Sequence, residues 1–237
     1  MCDSGILGPL YFMTFQVALV GLDGFVIAGD TKGSSSGDVR QTSEAHKIRL
    51  SEKNDFVCAF AGEEIALAIA QHLVSQPHPK FYSDEVLRYY LNDETQSGLP
   101  ADLVKADKPP RIELLIGALD LQERWVVWHV LFDKRQAMVR RLTTKWCCGD
   151  RINSAVYLSE AYYAKGLRVE RLKHLAAHVV LAAHDTNPTE VEGLDILVAE
   201  NEKPARLLEA TEVATLTEYS AGIHEAVKKL LFQPVIP

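Results

Sequence analysis

Strand-length apolar runs in this chain come in hairpin pairs, and the helical stretches between them also come in pairs. Phe15 to Val20 and Phe25 to Ala28 are β-rich runs joined through Leu22-Asp23-Gly24, and Asp-Gly between two such runs is a strong hairpin signal. Lys47 to Leu50 and Phe56 to Ala61 form a second pair around Ser51 to Asp55. Glu63 to Val74 then places Ala66, Ile69, Ala70 and Leu73 at helical spacing. Ser83 to Asn92 is a second helix, with Ser83 as N-cap and Asp84 and Glu85 suiting its first turn. Arg111 to Leu119, Trp125 to Phe132 and Ala137 to Leu142 are three further strands. Ile152 to Ala164 and Arg168 to His184 are helices separated at Gly166; the second carries Leu172, Leu175, Ala176, Val179 and Ala183 on one stripe. Leu194 to Ala199 and Ala205 to Glu209 read as strands, and Thr217 to Phe232 as a last helix before Pro234.

The order ββ, ββ, αα, βββ, αα, ββ, α disfavours a doubly wound parallel sheet, in which strands and helices alternate singly. Two antiparallel sheets packed face to face, with helices outside, bury every apolar face. The expected architecture is therefore α+β: a four-layer αββα sandwich in one domain over residues 14–237. Gly98 to Pro110, closed by Pro109-Pro110, is a linker inside that domain, because neither side of it has a complete core.

Composition narrows the function classes. Apolar residues are 47% and charged residues 24%, ordinary for a globular protein. The net charge of −7 argues against nucleic acid as the main partner. No stretch reaches the roughly 18 consecutive apolar residues of a membrane span. Cys2, Cys58, Cys147 and Cys148 form no disulfide framework, and neighbouring cysteines such as Cys147 and Cys148 rarely bridge for reasons of strain. Met1 to Phe12 is apolar but lacks the basic start and small-residue cleavage site of a secretory signal, so a reducing cytoplasm is expected. His174 and His178 stand one helical turn apart, but no third ligand accompanies them at a characteristic spacing. No metal and no cofactor is expected.

The first sixty residues carry the chemistry. Thr14 opens the first strand, Asp30 closes the second in Val26-Ile27-Ala28-Gly29-Asp30, Lys47 opens the third, and the fourth ends in Phe60-Ala61-Gly62. Each has a dull explanation by itself: a surface threonine, an acid in a turn, a solvated lysine. Together, with Thr14 to Val20, Asp23-Gly24 and Lys47-Ile48, they resemble the proteasome family of N-terminal nucleophile hydrolases. The flavour is that of bacterial proteasome-like peptidases and β-type subunits. The likeness continues more loosely through Cys148-Gly149 and the helix pair to Gly193-Leu194-Asp195-Ile196.

The resemblance implies a threonine-type endopeptidase in a self-compartmentalising homo-oligomeric ring. Its substrates would be peptides or unfolded proteins, and an ATP-dependent unfoldase would be a partner. Thr14 matches the nucleophile, whose hydroxyl needs a base within reach. Lys47 matches the lysine that lowers the pKa of the hydroxyl and amine, and Asp30 the carboxylate that orients that lysine. Gly62 matches the oxyanion-binding N–H. Cys148 falls where the family often has a supporting serine. Asp185 is the counterpart of a supporting aspartate, displaced by an apparent insertion at Asn187-Pro188. Thr31, Lys32, Gly33 and Ser34 are expected in the substrate-pocket wall. Thr14 acts only when residues 1–13 are absent, either as a propeptide or because translation starts at Met13, whose removal exposes Thr14. A non-catalytic ring subunit with a blocked threonine, and an amidohydrolase of the same fold, are the alternative readings.

Overall fold

The computed structural model describes residues 11–12, 14–34, 42–81, 83–98, 112–133, 136–149 and 152–232. The rest of residues 1–13, Cys2 among them, residues 35–41 and the Leu99 to Pro110 part of the expected linker lie outside them. Two antiparallel sheets dominate. The first contains β1 (Tyr11–Phe12), β6 (Ile48–Leu50), β7 (Phe56–Glu63), β8 (Ile112–Leu119), β9 (Trp125–Asp133) and β10 (Gln136–Arg141), in the order β1-β7-β8-β9-β10 with β6 also on β7. The second runs β11-β2-β3-β12-β13, from β11 (Lys145–Gly149), β2 (Phe15–Val20), β3 (Gly24–Gly29), β12 (Asp195–Glu200) and β13 (Arg206–Leu207). A two-stranded ribbon joins β4 (Lys32–Ser34) to β5 (Thr42–Glu44). The helices are α1 (Glu64–Ser75), α2 (Asp84–Gly98), α3 (Asn153–Tyr162), α4 (Val169–Thr186) and α5 (Ala210–Phe232).

Strand periodicity sorts the side chains into three cores, and three cores between four layers are the expected αββα sandwich. Phe56, Cys58 and Phe60 of β7 meet Ile112, Leu114 and Ile116 of β8 under α1 and α2. Their neighbours Val57, Ala59, Ala61 and Leu115 face the other sheet. Phe15, Val17 and Leu19 of β2 pack beneath α4 with Leu172, Ala176 and Val179, whereas Ala18 points between the sheets. The layer between the sheets is rich in small residues, which lets Phe25 stand across it. Its ring lies 5.8 Å from that of Trp125 in edge contact. Gly117 makes the room, since a Cβ there would overlap the Phe25 ring.

Local signals mark most elements within a residue or two. Ser83 caps α2 as expected, accepting from Val86 N–H at 3.3 Å. The start of α4 is capped from afar: Val169 N–H donates to Asp23 Oδ1, on the β2–β3 turn, at 2.8 Å. Two expectations change. Lys145–Gly149 is a fifth strand of the second sheet, pairing Cys148 with Gln16 and Gly149 with Phe15. The last helix starts at Ala210 rather than Thr217, because the Glu212 carboxylate accepts from Glu209 N–H and clamps Arg206. Among the described residues no helix is long and apolar enough to cross a membrane.

Candidate active site

The β2–β3 hairpin brings Asp30 back beside the start of β2. The pairing of β7 with β6 then sets Lys47 against the same point, where Phe60 N–H donates to Lys47 O at 3.1 Å. The Asp30 carboxylate is the hub. Oδ1 accepts from Phe15 N–H at 2.9 Å, the residue directly after Thr14. Oδ2 accepts from Lys47 Nζ at 2.7 Å and from Lys32 N–H at 3.2 Å. Asp30 is 0% exposed, Lys47 1% and Thr14 2%, so this charge pair is dry. Burial lifts the Asp30 pKa above its ordinary value, and Lys47 and the two backbone N–H groups oppose that shift. A lysine this deeply buried is uncommon unless paired. Here the pairing also ties its ammonium to the backbone that carries Thr14.

Gly62 is set by β7. It stands opposite Phe12 in the β1–β7 register and has φ of +121°. Gly149 closes the back of the site: its φ is +85°, and a Cβ would overlap the Thr14 carbonyl. Asp30 and Lys47, 17 positions apart, thus meet beside the residue that follows Thr14, and Gly62 stands opposite the residue two before Thr14.

The weaker expectations distribute differently. Cys148 is buried between the sheets, and its thiol donates to Glu113 Oε2 at 3.2 Å. Gly149 N–H donates to the same oxygen at 2.9 Å. Burial, followed by the Glu113 charge, pushes the Cys148 thiol well above its ordinary pKa. Asp185 is exposed near the end of α4, and its charge acts on His178 and Lys228. Thr31 and Lys32 engage the loop before β12: Thr31 Oγ1 donates to Glu192 O at 3.4 Å, and Lys32 Nζ pairs with Glu192 at 3.2 Å. Gly33 and Ser34 continue into β4 and pair with Ser43 and Thr42. His174 and His178 face α5, where His178 bonds Ser220 Oγ at 2.8 Å. The groove there, about 410 Å³ and lined by Tyr162, Tyr219 and Val227 among others, belongs to the outer helices and contains none of the predicted catalytic residues.

Glu113 and His129 were not singled out from the sequence. The available signal was a charged or polar residue inside otherwise apolar strands, Ile112-Glu113-Leu114-Leu115 and Trp128-His129-Val130. Which face such a residue takes is settled only by the sheet it joins.

No protein-family model and no curated protein matches the sequence. Solved structures do match the fold. Anbu (ancestral beta-subunit) from Yersinia bercovieri superposes with a TM-score of 0.72 at 14% identity, covering 94% of this chain and 99% of that one. The fold is that of the Anbu proteins. Anbu from Hyphomicrobium sp. strain MC1 matches with a TM-score of 0.65 at 16% identity, over 91% and 97% of the two chains. The structure titled a helical assembly of the Anbu complex from Pseudomonas aeruginosa gives 0.69 at 14%, over 94% and 98%. This corrects the expectation of a bacterial proteasome-like peptidase or β-type subunit. The matched structures are proteasome-like in fold, but the group they name is Anbu. The correction has a physical basis: the order of hairpins and helix pairs belongs to the shared fold, so it does not separate one branch of it from another.

Proposed function

We propose that this chain is an N-terminal nucleophile hydrolase subunit of Anbu type that cleaves peptide bonds with Thr14. The observation that carries the reading is the Asp30 carboxylate, which holds the Phe15 N–H and the Lys47 ammonium at once in a dry corner. A structural ion pair needs no such link to the first strand. The link fixes the backbone beside Thr14 relative to a cation, and a cation near a hydroxyl and an α-amine lowers the pKa of both.

In this mechanism residues 1–13 are absent from the mature chain and Thr14 carries a free α-amine. That amine has an unperturbed pKa of about 7.7–8.0 and accepts the hydroxyl proton. Oγ attacks the scissile carbonyl, Gly62 N–H stabilises the oxyanion, and the leaving amine takes a proton from the Thr14 ammonium. Water then hydrolyses the ester by the reverse use of the same groups. Lys47 stays charged and Asp30 keeps it in place. The β1–β7 pairing supports a peptide over a small amide as substrate: the β7 edge at Gly62 and Glu63 accepts an extended segment as an added strand. We further infer a homo-oligomeric assembly, supported by the assembly named for the Pseudomonas aeruginosa Anbu complex.

The test begins with intact mass and N-terminal sequencing of protein from its own host, followed by hydrolysis of fluorogenic peptides. A chain starting at Thr14 whose activity vanishes in Thr14→Ala, with particle size by light scattering unchanged, supports the reading. Undiminished hydrolysis in Thr14→Ala sinks it, and a mature chain retaining residues 1–13 favours a non-catalytic subunit. Lys47→Arg should lose activity, because a bulkier planar guanidinium does not fit the buried slot that holds the ammonium against Asp30.

A further inference from the structure

We propose that Glu113, His129 and Cys148 form a site for a divalent cation of the zinc class, bridging the two sheets. The three residues come from three strands. Glu113 on β8 and His129 on β9 share one face of the first sheet, since His129 stands opposite Leu115, which belongs to the layer between the sheets. Cys148 comes from β11 at the edge of the second sheet and points into that same layer. Their candidate ligand atoms lie within 4.8 Å of one another, and all three residues are buried. The Cys148 Sγ to Glu113 Oε2 distance of 3.2 Å needs to open by about 0.4 Å to reach the roughly 3.6 Å edge of a tetrahedral zinc site, where Zn–S is about 2.3 Å and Zn–O about 2.0–2.2 Å.

The donor set also fits by charge and chemistry. One thiolate, one carboxylate and one neutral imidazole balance a dication, so the filled site places no net charge between the sheets. Sulfur and nitrogen donors select zinc-like metals over magnesium or calcium, which take oxygen. A carboxylate offers about four lone-pair directions, so the Gly149 N–H bond leaves Glu113 able to ligate. The imidazole packs at a tilt against Trp146, with ring centroids 4.6 Å apart and the planes 34° from parallel. Three protein ligands leave the fourth tetrahedral position for water. On binding, the Cys148 thiol releases its proton to solvent, its hydrogen bond to Glu113 Oε2 is lost, and its sulfur bonds the metal beside Glu113 and His129. The cation would then clamp the strand that backs Thr14 to the opposite sheet. None of this depends on Thr14 being a nucleophile.

The experiment titrates full-length, chelator-treated protein with Co²⁺ and follows its absorption, then exchanges Zn²⁺ and counts metal by native mass spectrometry. One Co²⁺ per chain should appear, with tetrahedral visible bands and a thiolate-to-metal charge-transfer band. Zn²⁺ should displace both. Cys148→Ser, close to isosteric, should abolish the charge-transfer band, and Cys147→Ser should leave it intact. Absence of any charge-transfer band in the unmodified protein overturns the proposal without recourse to a variant. So does a band that survives Cys148→Ser. Cobalt bound without sulfur would equally overturn it.

Discussion

Replacing Lys47 by methionine keeps most of the side-chain volume but removes the cation from a carboxylate that has no access to water. Breaking a buried pair on one side costs about 3–5 kcal/mol, because the remaining charge is uncompensated. Asp30 would retain two backbone N–H partners, from Phe15 at 2.9 Å and Lys32 at 3.2 Å. The expected loss is therefore near the lower end, about 3 kcal/mol at pH 8. The pH dependence has a definite sign. Burial already raises the Asp30 pKa, and loss of Lys47 raises it further. The folded state then binds more protons than the unfolded state between the unfolded pKa and the raised one, so stability falls as pH rises across that window. Lowering the pH from 8 to 5 should return part of the loss, by at most about 1.4 kcal/mol per pH unit. Urea unfolding at fixed protomer concentration measures this, with Asp30→Asn/Lys47→Met as the neutral reference. The double variant should be more stable than Lys47→Met alone and should lose the pH dependence. A loss below about 1 kcal/mol at pH 8, the range of a solvated ion pair, together with a flat pH profile, would refute the claim that the pair is dry.

Gly149→Ala combines a positive φ with an overlap at the Thr14 carbonyl, so it should cost about 1–3 kcal/mol and reduce peptide hydrolysis more than the unfolding midpoint suggests. Gly117→Ala drives a methyl into the Phe25 ring and should destabilise by about 1–3 kcal/mol with little effect on hydrolysis below the transition. Glu212, held down to a pKa of about 2 by its hydrogen bonds from Arg206 and the Glu209 N–H, stabilises the start of α5 above its ordinary pKa. That contribution is lost as pH falls from about 4.5 towards about 2. Because the pair is largely solvated, Glu212→Gln should remove at most about 1 kcal/mol at pH 7, and its melting curve should converge on the parent curve at the acid end of that window.

Much of the framework was legible because it is local. The near-continuous apolar runs Phe15–Val20 and Phe56–Ala61 state that each strand has two buried faces, and the run of hairpins and helix pairs states that the sheets are antiparallel and flanked. Asp30 and Lys47 were legible through the family resemblance of their strand ends; that the two side chains meet in a buried ion pair is a result of packing. Cys147 and Cys148 gave no comparable signal. Their strand exists because β2 offers an edge to pair with, and only that pairing turns Cys148 inward and Cys147 towards the helices. The early start of α5 escaped notice for the same reason, since it rests on the Arg206–Glu212 clamp across a bend and not on apolar spacing. Glu113 and His129 stand on strands whose local pattern is simply apolar, and nothing in that pattern says that a thiol from the other sheet arrives between them. Periodicity is a property of one segment, so the chain alone could determine most of the elements and their order. Proximity between segments 16 to 35 positions apart or more is a property of packing, and only the stacked sheets decided which polar groups share the dry layer.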